Sequence, residues 1–378
     1  MSLRLGLFYP NALSIHVMSA EVTAANLDLL DFDTHRQVAR AAEEIGLDYM
    51  FLADAWGPFG PKARAARVQD PVLLSPLLGM HLLASTTRIR CITTVHTTWF
   101  HPLVVARMGA ALDAMSKGRW GINIVTGSGF AEYLDPDLFG RFSHDERYEY
   151  AEEIAEVLTQ AWSQDRIEFD GKHLHMSGQL VGPFTAQQKR PLIVSAGASD
   201  AGRQFAGRYA DYIFMPGRTP QPEIDQRLTD IRRIASEHGR PADAVKLQMH
   251  ASIVVREKAE EAKAISDWVA DNVDLGITAE YLNAVRGNIS TYDEVYRSLG
   301  DLNLRQVGSV AGARKIHGSA DEVAEHIEML HRKFGCDGIA MTLPVWKPEE
   351  IRRLGALLLP RLQRMGIWQH PESRDWSW

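Results

Sequence analysis

Short apolar runs alternate with amphipathic stretches along most of the chain. The apolar runs have the length of buried strands, and the stretches between them carry apolar residues at helical spacing. Eight strands are predicted, at 4–9, 48–54, 88–95, 120–126, 192–197, 212–215, 247–255 and 338–343. Helices are predicted at 33–45, 71–84, 102–115, 145–162, 200–209, 222–238, 320–334 and 348–365.

This alternation predicts an α/β fold, a closed (β/α)8 TIM barrel formed as a single domain over 1–378, because each parallel connection needs a covering helix. An open doubly wound sheet is the alternative, and the absence of a G-x-G-x-x-G motif after any strand weakens it. Asp33 and Ser199 are the predicted N-caps of their helices, and Pro102 and Pro348 suit a first helical turn.

Two segments do not fit plain strand–helix units. Residues 165–188 contain two strand-like runs around Asp170-Gly171 and are expected to form a hairpin. Residues 275–316 form a long insertion before the last unit, which we expect to be a lid over the mouth of the barrel. The tail from Trp368 to Trp378 holds three tryptophans, and this density predicts docking against the body or a second subunit.

Composition and charge argue against some classes of function, such as nucleic-acid binding and membrane insertion. The 378 residues are 45% hydrophobic and 24% charged, which is typical of a soluble globular protein with a large core. The net charge of −7 argues against nucleic acid as a partner. We expect the N-terminus to be a first strand and not a signal peptide, and no run is long enough to span a membrane, so a cytoplasmic protein is expected. Cys91 and Cys336 are predicted to be buried free thiols.

The strand at 120–126 carries the clearest chemical signal. Asn123 is a polar residue inside an apolar run, and the loop from Thr126 to Gly129 allows a ligand to approach the backbone closely. Because an unpaired buried amide costs about 1–3 kcal/mol, Asn123 is either a ligand contact or a hydrogen-bonded core residue. The strand alone leaves both interpretations open.

Two further motifs suit an anion. The small-residue turn Ala-Gly-Ala-Ser-Asp-Ala-Gly at 196–202 opens a helix and favours phosphate binding, the alternative being a tight turn with Ser199 as a simple N-cap. His-Asp-Glu-Arg-Tyr at 144–148 opens another helix. There Arg147 could clamp an anion and Tyr148 could add a hydroxyl, or both could lie on a solvated helix start.

Several polar residues could line a substrate pocket. His96 and Trp99 follow the third strand, and His250 lies in the seventh; packing roles are as plausible for these residues. His173-x-His175 lacks a third ligand nearby, so no metal site is expected. There is no G-x-S-x-G serine elbow, and neither cysteine has an obvious base. A phosphate cradle without metal or nucleophile points to an organic cofactor that supplies its own chemistry.

Four blocks of the sequence together resemble the bacterial-luciferase-like flavin monooxygenases. They lie at 45–54, at 101–119, at 123–127 with 132–133 and 144–148, and at 196–202 with 210–211. The third and fourth blocks are the most specific, and they are similar to the branch that includes pyrimidine and dimethylsulfone monooxygenases. The resemblance extends to about residue 218 and continues more weakly at 318–324.

The resemblance implies a barrel that binds reduced FMN supplied by a separate NAD(P)H:flavin reductase and uses O2 to oxygenate a small organic substrate through a flavin peroxide. By position, the cofactor-binding residues would be Asp54, Ala55, Thr94, Asn123, Glu132, Arg147, Tyr148, Gly197 and Ser199. Glu132 and Asn123 would contact the isoalloxazine or ribityl part, and Arg147, Tyr148 and Ser199 the phosphate. Thr94 and Asn123 would frame the oxygen pocket by donating hydrogen bonds, and His96, Trp99 and His250 would shape or polarise the substrate.

The chain departs from the pyrimidine branch at two places. Asp54-Ala55 stands where that branch has an apolar residue and Lys, and Ser128 replaces a tryptophan, which implies a differently shaped pocket beside the flavin. Three other functions remain open: a deazaflavin-dependent oxidoreductase of the same superfamily, a non-catalytic flavin-binding protein, and a metal-dependent barrel hydrolase. A homodimer or homotetramer is expected.

Overall fold

The computed structural model describes residues 2–14, 16–127, 134–187, 190–286 and 304–376. The strands in this part of the chain are β1 (Arg4–Tyr9), β2 (Tyr49–Leu52), β3 (Arg90–His96), β4 (Trp120–Val125), β5 (Arg166–Asp170), β6 (His175–Gln179), β7 (Leu192–Ser195), β8 (Tyr212–Met215), β9 (Lys246–Arg256), β10 (Arg314–Ser319) and β11 (Gly338–Thr342). Eight of them pair in parallel in the order β1-β2-β3-β4-β7-β8-β9-β11, and β11 pairs with β1 to close the ring. The predicted barrel is therefore confirmed.

Helices cover the outside of this barrel and, in α11 and α12, its mouth. They are α1 (Ala20–Ala24), α2 (Phe32–Glu44), α3 (Pro61–Ala65), α4 (Ser75–Ser85), α5 (Pro102–Ser116), α6 (Pro136–Gly140), α7 (His144–Ser163), α8 (Asp200–Tyr209), α9 (Gln221–Glu237), α10 (Ala259–Asp271), α11 (Leu275–Arg286), α12 (Leu304–Gly308), α13 (Ala320–Phe334), α14 (Pro348–Leu357) and α15 (Leu359–Arg364), with a 3₁₀ turn at Pro371–Arg374. Within the described residues, no helix is long and apolar enough to span a membrane.

Helix ends follow local chemistry. Ser199 caps α8 and Pro102 and Pro348 occupy first turns, as predicted. Asp31, not Asp33, caps α2, since its carboxylate accepts hydrogen bonds from the free amides of the first turn. The helix predicted at 348–365 is divided at Leu358, because the proline two residues later has no N–H to continue the ladder.

The barrel interior is aromatic. Phe51 and Phe214 stack with ring centroids 5.2 Å apart, and Phe8 packs 5.3 Å from Phe51. The register of β3 and β4 determines which polar residues are neighbours above this aromatic layer. In this parallel pair, Thr94 lies directly opposite Asn123. Two polar residues predicted for one site are thus neighbours because of strand pairing.

The hairpin predicted within 165–188 is confirmed, with β5 and β6 antiparallel. The prediction of an insertion at 275–316 is only partly right. Its last residues belong to β10, which pairs with the second half of β9. In β10 only Ile316 and Gly318 are buried. Because most of its other residues are charged or polar, β10 has no apolar run from which a strand could be predicted. Residues 287–303 of this insertion lie outside the described residues.

The described part of the insertion packs over the mouth of the barrel. Tyr281 and Leu282 of α11 and Val307 of α12 join a second hydrophobic cluster with Met18 and Phe59. Glu280 of α11 also accepts hydrogen bonds from the backbone amides of Lys62 and Ala63 at 3.0 and 2.9 Å, at the start of α3. These contacts tie α11 to the loop that follows β2.

The C-terminal tail packs across the opposite, N-terminal end of the barrel. Trp368 is only 2% exposed, and Arg374 forms an ion pair with buried Asp48. Arg90 donates to the carbonyl of Trp376 at 2.7 Å. Docking of the tail on the body is therefore confirmed for residues up to 376. Cys91 and Cys336 are both buried and free, as predicted.

Candidate active site

Buried polar atoms without hydrogen-bond partners concentrate at the carboxyl ends of the barrel strands. Among the described residues, the unpartnered atoms at this end of the barrel belong to eight residues, and others lie elsewhere in the protein; the eight are Asn11, His16, Trp56, His96, Thr98, Trp99, Asn123 and His250. An unpaired buried polar atom costs about 1–3 kcal/mol, so such a concentration requires an explanation. This end of a parallel barrel is where ligands bind, and a ligand with hydrogen-bonding groups would satisfy these atoms.

Thr94 and Asn123 form a directed hydrogen-bond chain. The Thr94 hydroxyl donates to the carbonyl of Leu52 at 2.7 Å, and Asn123 Nδ2 donates to Thr94 Oγ1 at 3.0 Å. The single hydroxyl proton of Thr94 is thus used within the protein, whereas Asn123 keeps its second N–H and an unpartnered Oδ1. In this arrangement Asn123 can face a ligand, and Thr94 positions it.

Asp54 and His96 lie next to this pair. His96 Nε2 lies 3.4 Å from the Asp54 carbonyl, so that nitrogen carries the proton, and Nδ1 is left as an unpartnered acceptor. Burial lowers the pKa of His96 to about 4, which keeps the ring neutral at pH 7. Burial raises the pKa of the Asp54 carboxyl to about 7, although the amides of Ser75 and Ala55 donate to it.

Because the pKa of the Asp54 carboxyl is raised, we expect the stability of the protein to depend on pH. The pKa of this carboxyl is raised above the unfolded value, so the folded chain retains a proton that the unfolded chain releases between about pH 4 and pH 7. The free energy of unfolding of the wild type is therefore expected to fall across this interval relative to Asp54→Asn, and the difference becomes constant above pH 8. Urea unfolding of both cofactor-free proteins at pH 5, 6, 7 and 8 measures it; parallel curves would refute the assignment.

An aromatic wall borders these groups. The rings of Trp56 and Trp99 stack with centroids 4.9 Å apart, and Phe139 packs edge-on against Trp99. Both indole N–H groups are buried without acceptors. Trp99 is one of the predicted pocket residues; Trp56, which the sequence places at the mouth in the loop after β2, is not among the predicted site residues.

A second group forms a small cradle between β4, α7 and α8. The Tyr148 hydroxyl lies within hydrogen-bonding reach of the side chains of Thr126 and Ser199, and burial raises its pKa. A Cβ on Gly197 would lie 2.5 Å from that hydroxyl and 2.9 Å from Gly202 Cα, so only glycine fits there. The structure therefore brings a hydroxyl pair, Tyr148 and Ser199, together at the first turn of α8.

The remaining predicted residues are placed as follows. Arg147 is half-buried beside the cradle, and its guanidinium donates to the Phe142 carbonyl at 3.5 Å. Ala55 lies in the half-buried loop after β2. Glu132 and Ser128 lie outside the described residues.

His250 is separated from the other predicted residues. It stacks on Phe8 at 4.7 Å and meets His16 edge-on at 4.5 Å, on the side of the mouth nearest β1 and β9. His16 was missed by the sequence analysis, because it lies in a loop whose contact with His250 depends on the closed barrel. Within the part of the chain that the structure describes, no group of three or more His, Cys, Asp or Glu residues could hold a metal ion.

Comparison with known proteins agrees with this geometry. Residues 3–337 match the Luciferase-like monooxygenase family. Pyrimidine monooxygenase RutA of Methylorubrum extorquens (strain PA1) is 32% identical, over 76% of this chain and 74% of that protein. Nitrilotriacetate monooxygenase component A of Aminobacter aminovorans is 27% identical, over 90% of this chain and 87% of that protein.

A solved structure extends the similarity to the fold. The crystal structure of riboflavin lyase RcaE with modified FMN and the substrate riboflavin superposes with a TM-score of 0.86 and 26% identity. The match covers 98% of this chain and 93% of that chain. The family match spans most of the barrel, and the sequence resemblance to bacterial-luciferase-like enzymes is confirmed. The chain belongs to the luciferase-like monooxygenase family.

Proposed function

We propose that this protein is a two-component monooxygenase that binds reduced FMN at the mouth of its barrel and uses O2 to oxygenate a small organic substrate. The proposal rests on two features at one end of the barrel: the cradle at Tyr148, Gly197 and Ser199, and Asn123, whose Oδ1 and second N–H have no partner. One group suits a phosphate and the other the polar edge of a flavin. A separate NAD(P)H:flavin reductase would supply the reduced cofactor.

The cradle fits the phosphate end of FMN. The amides of the first turn of α8 and the Ser199 hydroxyl provide hydrogen-bond donors at the positive end of a ten-residue helix. Glycine at position 197 lets the backbone come close to Tyr148, which contributes a second hydroxyl beside Ser199. Arg147, on the same helix as Tyr148, would add a positive charge near this end.

The groups around Asn123 fit the ring system. The free N–H and Oδ1 of Asn123 provide a donor and an acceptor, and neutral His96 and the Asp54 carboxyl lie close by. Reduced FMN, when bound, supplies the two electrons needed to activate O2. Asn123 would then donate a hydrogen bond where negative charge develops, and this interaction is strongest in a site from which water is excluded. The hydrophobic cluster of α11 and α12 would exclude that water.

The phosphate cradle gives a specific prediction. Ser199→Ala and Tyr148→Phe are each expected to weaken FMN binding about tenfold, while riboflavin, which lacks the phosphate, binds the variants and the wild type within about twofold. Calorimetric titration of the cofactor-free proteins with both molecules measures this ratio. Ser319→Ala is the matched control, because Ser319 caps α13 in the same way but lies far from the cradle in the sequence. Equal losses for FMN and riboflavin would contradict a phosphate site.

The catalytic proposal is tested by oxygen incorporation. The protein is combined with a generic flavin reductase, NADH and FMN, and a panel of sulfones, sulfonates, N-heterocycles and chlorinated aromatics is offered under ¹⁸O₂. We expect substrate-dependent O2 consumption and one ¹⁸O atom in the product. Tight binding of a deazaflavin with no binding of FMN would favour the deazaflavin oxidoreductase instead. FMN binding without turnover of any substrate would favour a flavin-binding protein.

A further inference from the structure

A cleft opens at the N-terminal end of the barrel, opposite the mouth. It encloses about 630 Å³, and its lining includes the first residues of four barrel strands, namely Arg4, Leu192, Tyr212 and Lys246. Gly338, the first residue of β11, lies opposite Arg4 in the strand register, and a Cβ there would lie 3.6 Å from the ring of Tyr212. We call this space the floor cleft. It lies at the end of the strands away from the candidate active site.

Arg4 lacks a counterion among the described residues of the floor cleft. Its Nη1 atom is buried and has no hydrogen-bond partner in this part of the chain. The carboxylate that attracts it is Asp48, which is already paired with Arg374 and accepts from the Leu5 amide at 2.9 Å. Burial, and then repulsion from Arg374, lower the pKa of Arg4 more than Asp48 raises it. Because arginine stays charged at neutral pH, Arg4 carries an uncompensated charge, which is destabilising.

Asp211, a carboxylate in the lining of the cleft, is used by two other arginines. Arg190 donates to its two oxygens at 2.6 and 3.0 Å, and Arg240 lies 3.7 Å from one of them. Arg240 also donates to two backbone carbonyls, at 2.7 and 2.6 Å. Arg190 and Arg240 therefore share one negative charge, and Asp211 has none to offer Arg4.

The remaining charges of the lining do not compensate Arg4 either. Asp337 accepts from the Leu247 amide at 3.0 Å, and Lys246 pairs with the exposed Asp243 at 3.3 Å. Among the described residues that line the cleft, cations outnumber carboxylates by four to two; they are Arg4, Arg190, Arg240 and Lys246, against Asp211 and Asp337. The floor cleft therefore carries an excess of positive charge and suits an anion.

Tyr212 adds a neutral donor to this charge. Burial raises its pKa, so the phenol keeps its proton at neutral pH and can donate a hydrogen bond. Lys246 lies opposite Tyr212 in the register of β8 and β9, and β11 separates β9 from β1, which carries Arg4. A guanidinium, a phenol and an ammonium group thus line one cleft from three strands.

We propose that the floor cleft is a second ligand site, which binds a phosphate dianion, either as inorganic phosphate or as the phosphate group of a small phosphomonoester. Arg4 would hold two of its oxygens with the guanidinium fork, and Tyr212 and Lys246 would donate to the others. The bound anion would supply the negative charge that Arg4 lacks, and would so stabilise the end of the barrel on which the C-terminal tail packs. This site is apart from the mouth, and its occupation does not depend on the proposed function.

The charge and shape of the cleft select this class of ligand. A cation is repelled by the excess positive charge, and a neutral molecule leaves Arg4 uncompensated. A planar guanidinium group matches phosphate oxygens in pairs, and a dianion balances the two surplus charges. A phosphate ion fills only part of about 630 Å³, so the cleft has room for an attached organic group.

Calorimetric titration of the cofactor-free protein at pH 8 tests the site. The probes are inorganic phosphate, ribose 5-phosphate and ribose. We expect both phosphates to bind and ribose not to bind, because the charge carries the interaction. Tighter binding of ribose 5-phosphate would identify a phosphomonoester as the ligand, and equal or weaker binding would identify the free ion.

Single substitutions locate the bound anion. Arg4→Met should weaken phosphate binding at least about tenfold, because it removes the charged fork. Lys246→Met should weaken it about threefold, and it tests the site should Arg4→Met not fold. Arg36→Met is the matched control, since it removes the same charge from an exposed pair with Asp33 on α2. Ser199→Ala alters the cradle at the mouth and should keep the affinity of the floor cleft.

Thermal unfolding gives a second readout, in which phosphate reverses the order of two proteins. Without phosphate, Arg4→Met should unfold at the same temperature as the wild type or above it, because the substitution removes an unpaired charge. In phosphate buffer the wild type should become the more stable of the two, because the anion binds its folded state. Phosphate also stabilises folded proteins generally, and Arg36→Met measures that general effect.

Several results would contradict the floor cleft as a ligand site. They are the failure of both phosphates to bind, wild-type affinity in both Arg4→Met and Lys246→Met, and equal stabilisation of Arg4→Met and the wild type by phosphate. Affinity that is lost in Ser199→Ala and kept in Arg4→Met would place the anion in the cradle at the mouth, and would contradict the inference as well.

Discussion

Replacing Asn123 with alanine is expected to slow the reaction of O2 with protein-bound reduced FMN by about a hundredfold, the usual cost of one donor aimed at developing negative charge. Asn123 is 5% exposed and holds a free N–H, whereas the Thr94 proton is already donated to Leu52. The measurement is stopped-flow mixing of the anaerobic complex with oxygenated buffer, followed by flavin absorbance.

Thr94 provides the matched control for this prediction. Thr94→Ser keeps the hydroxyl that accepts from Asn123 and should react like the wild type. Thr94→Val removes the acceptor and frees the amide, so it should slow the reaction by about tenfold, less than Asn123→Ala. The positioning role of Thr94 is wrong if Thr94→Val is as slow as Asn123→Ala, and an unchanged rate in Asn123→Ala would contradict the oxygen-pocket role of both residues.

Replacing Arg374 with alanine is expected to lower the free energy of unfolding by about 3–5 kcal/mol, because it leaves a buried carboxylate without its partner. The Asp48 side chain is 5% exposed, and its Oδ2 also accepts from the Leu5 amide at 2.9 Å. Burial raises the pKa of Asp48 while Arg374 lowers it, so the variant carboxyl should have a still higher pKa. Urea unfolding at pH 7 measures the loss.

The pH dependence of this loss provides its control. In Arg374→Ala, a raised Asp48 pKa means that the folded chain takes up a proton as pH falls, so the deficit relative to the wild type should shrink between pH 7 and pH 5. Arg374→Met combined with Asp48→Asn should recover most of the stability, because neither a charge nor a large void remains. A deficit that is the same at both pH values would show that lost packing, not the unpaired carboxylate, destabilises the tail.

The barrel could be predicted from the sequence because strands buried on both faces are nearly continuous apolar runs, and the helices between them carry clear apolar stripes. β10 was not predicted, because it has a single buried apolar side chain, Ile316, and the neighbouring Arg314, Lys315 and His317 are polar. The α8 side of the cradle could also be predicted, since Gly197 to Gly202 form a local motif of small residues, whereas its contact with Tyr148 depends on the packing of α7.

The rest of the site depends on atoms that only the folded chain brings together. Sequence placed Thr94 and Asn123 at one site, but the use of the Thr94 proton by Leu52 depends on the registers of β2, β3 and β4. His16 gave no signal, because its contacts with Ala311 and His250 join segments far apart in the chain. Strand periodicity predicts which residues reach the mouth, and three-dimensional contacts decide which of their atoms remain free.

We propose that the mouth of the barrel holds a flavin phosphate between α7 and α8 and the flavin ring against Asn123. A crystal structure of the protein soaked anaerobically with reduced FMN tests it most directly. We expect the phosphate at the first turn of α8, in contact with Ser199 and Tyr148, and the ring edge within hydrogen-bonding distance of Asn123. Density for the phosphate at any other place, or an empty cradle at saturating FMN, would contradict the account.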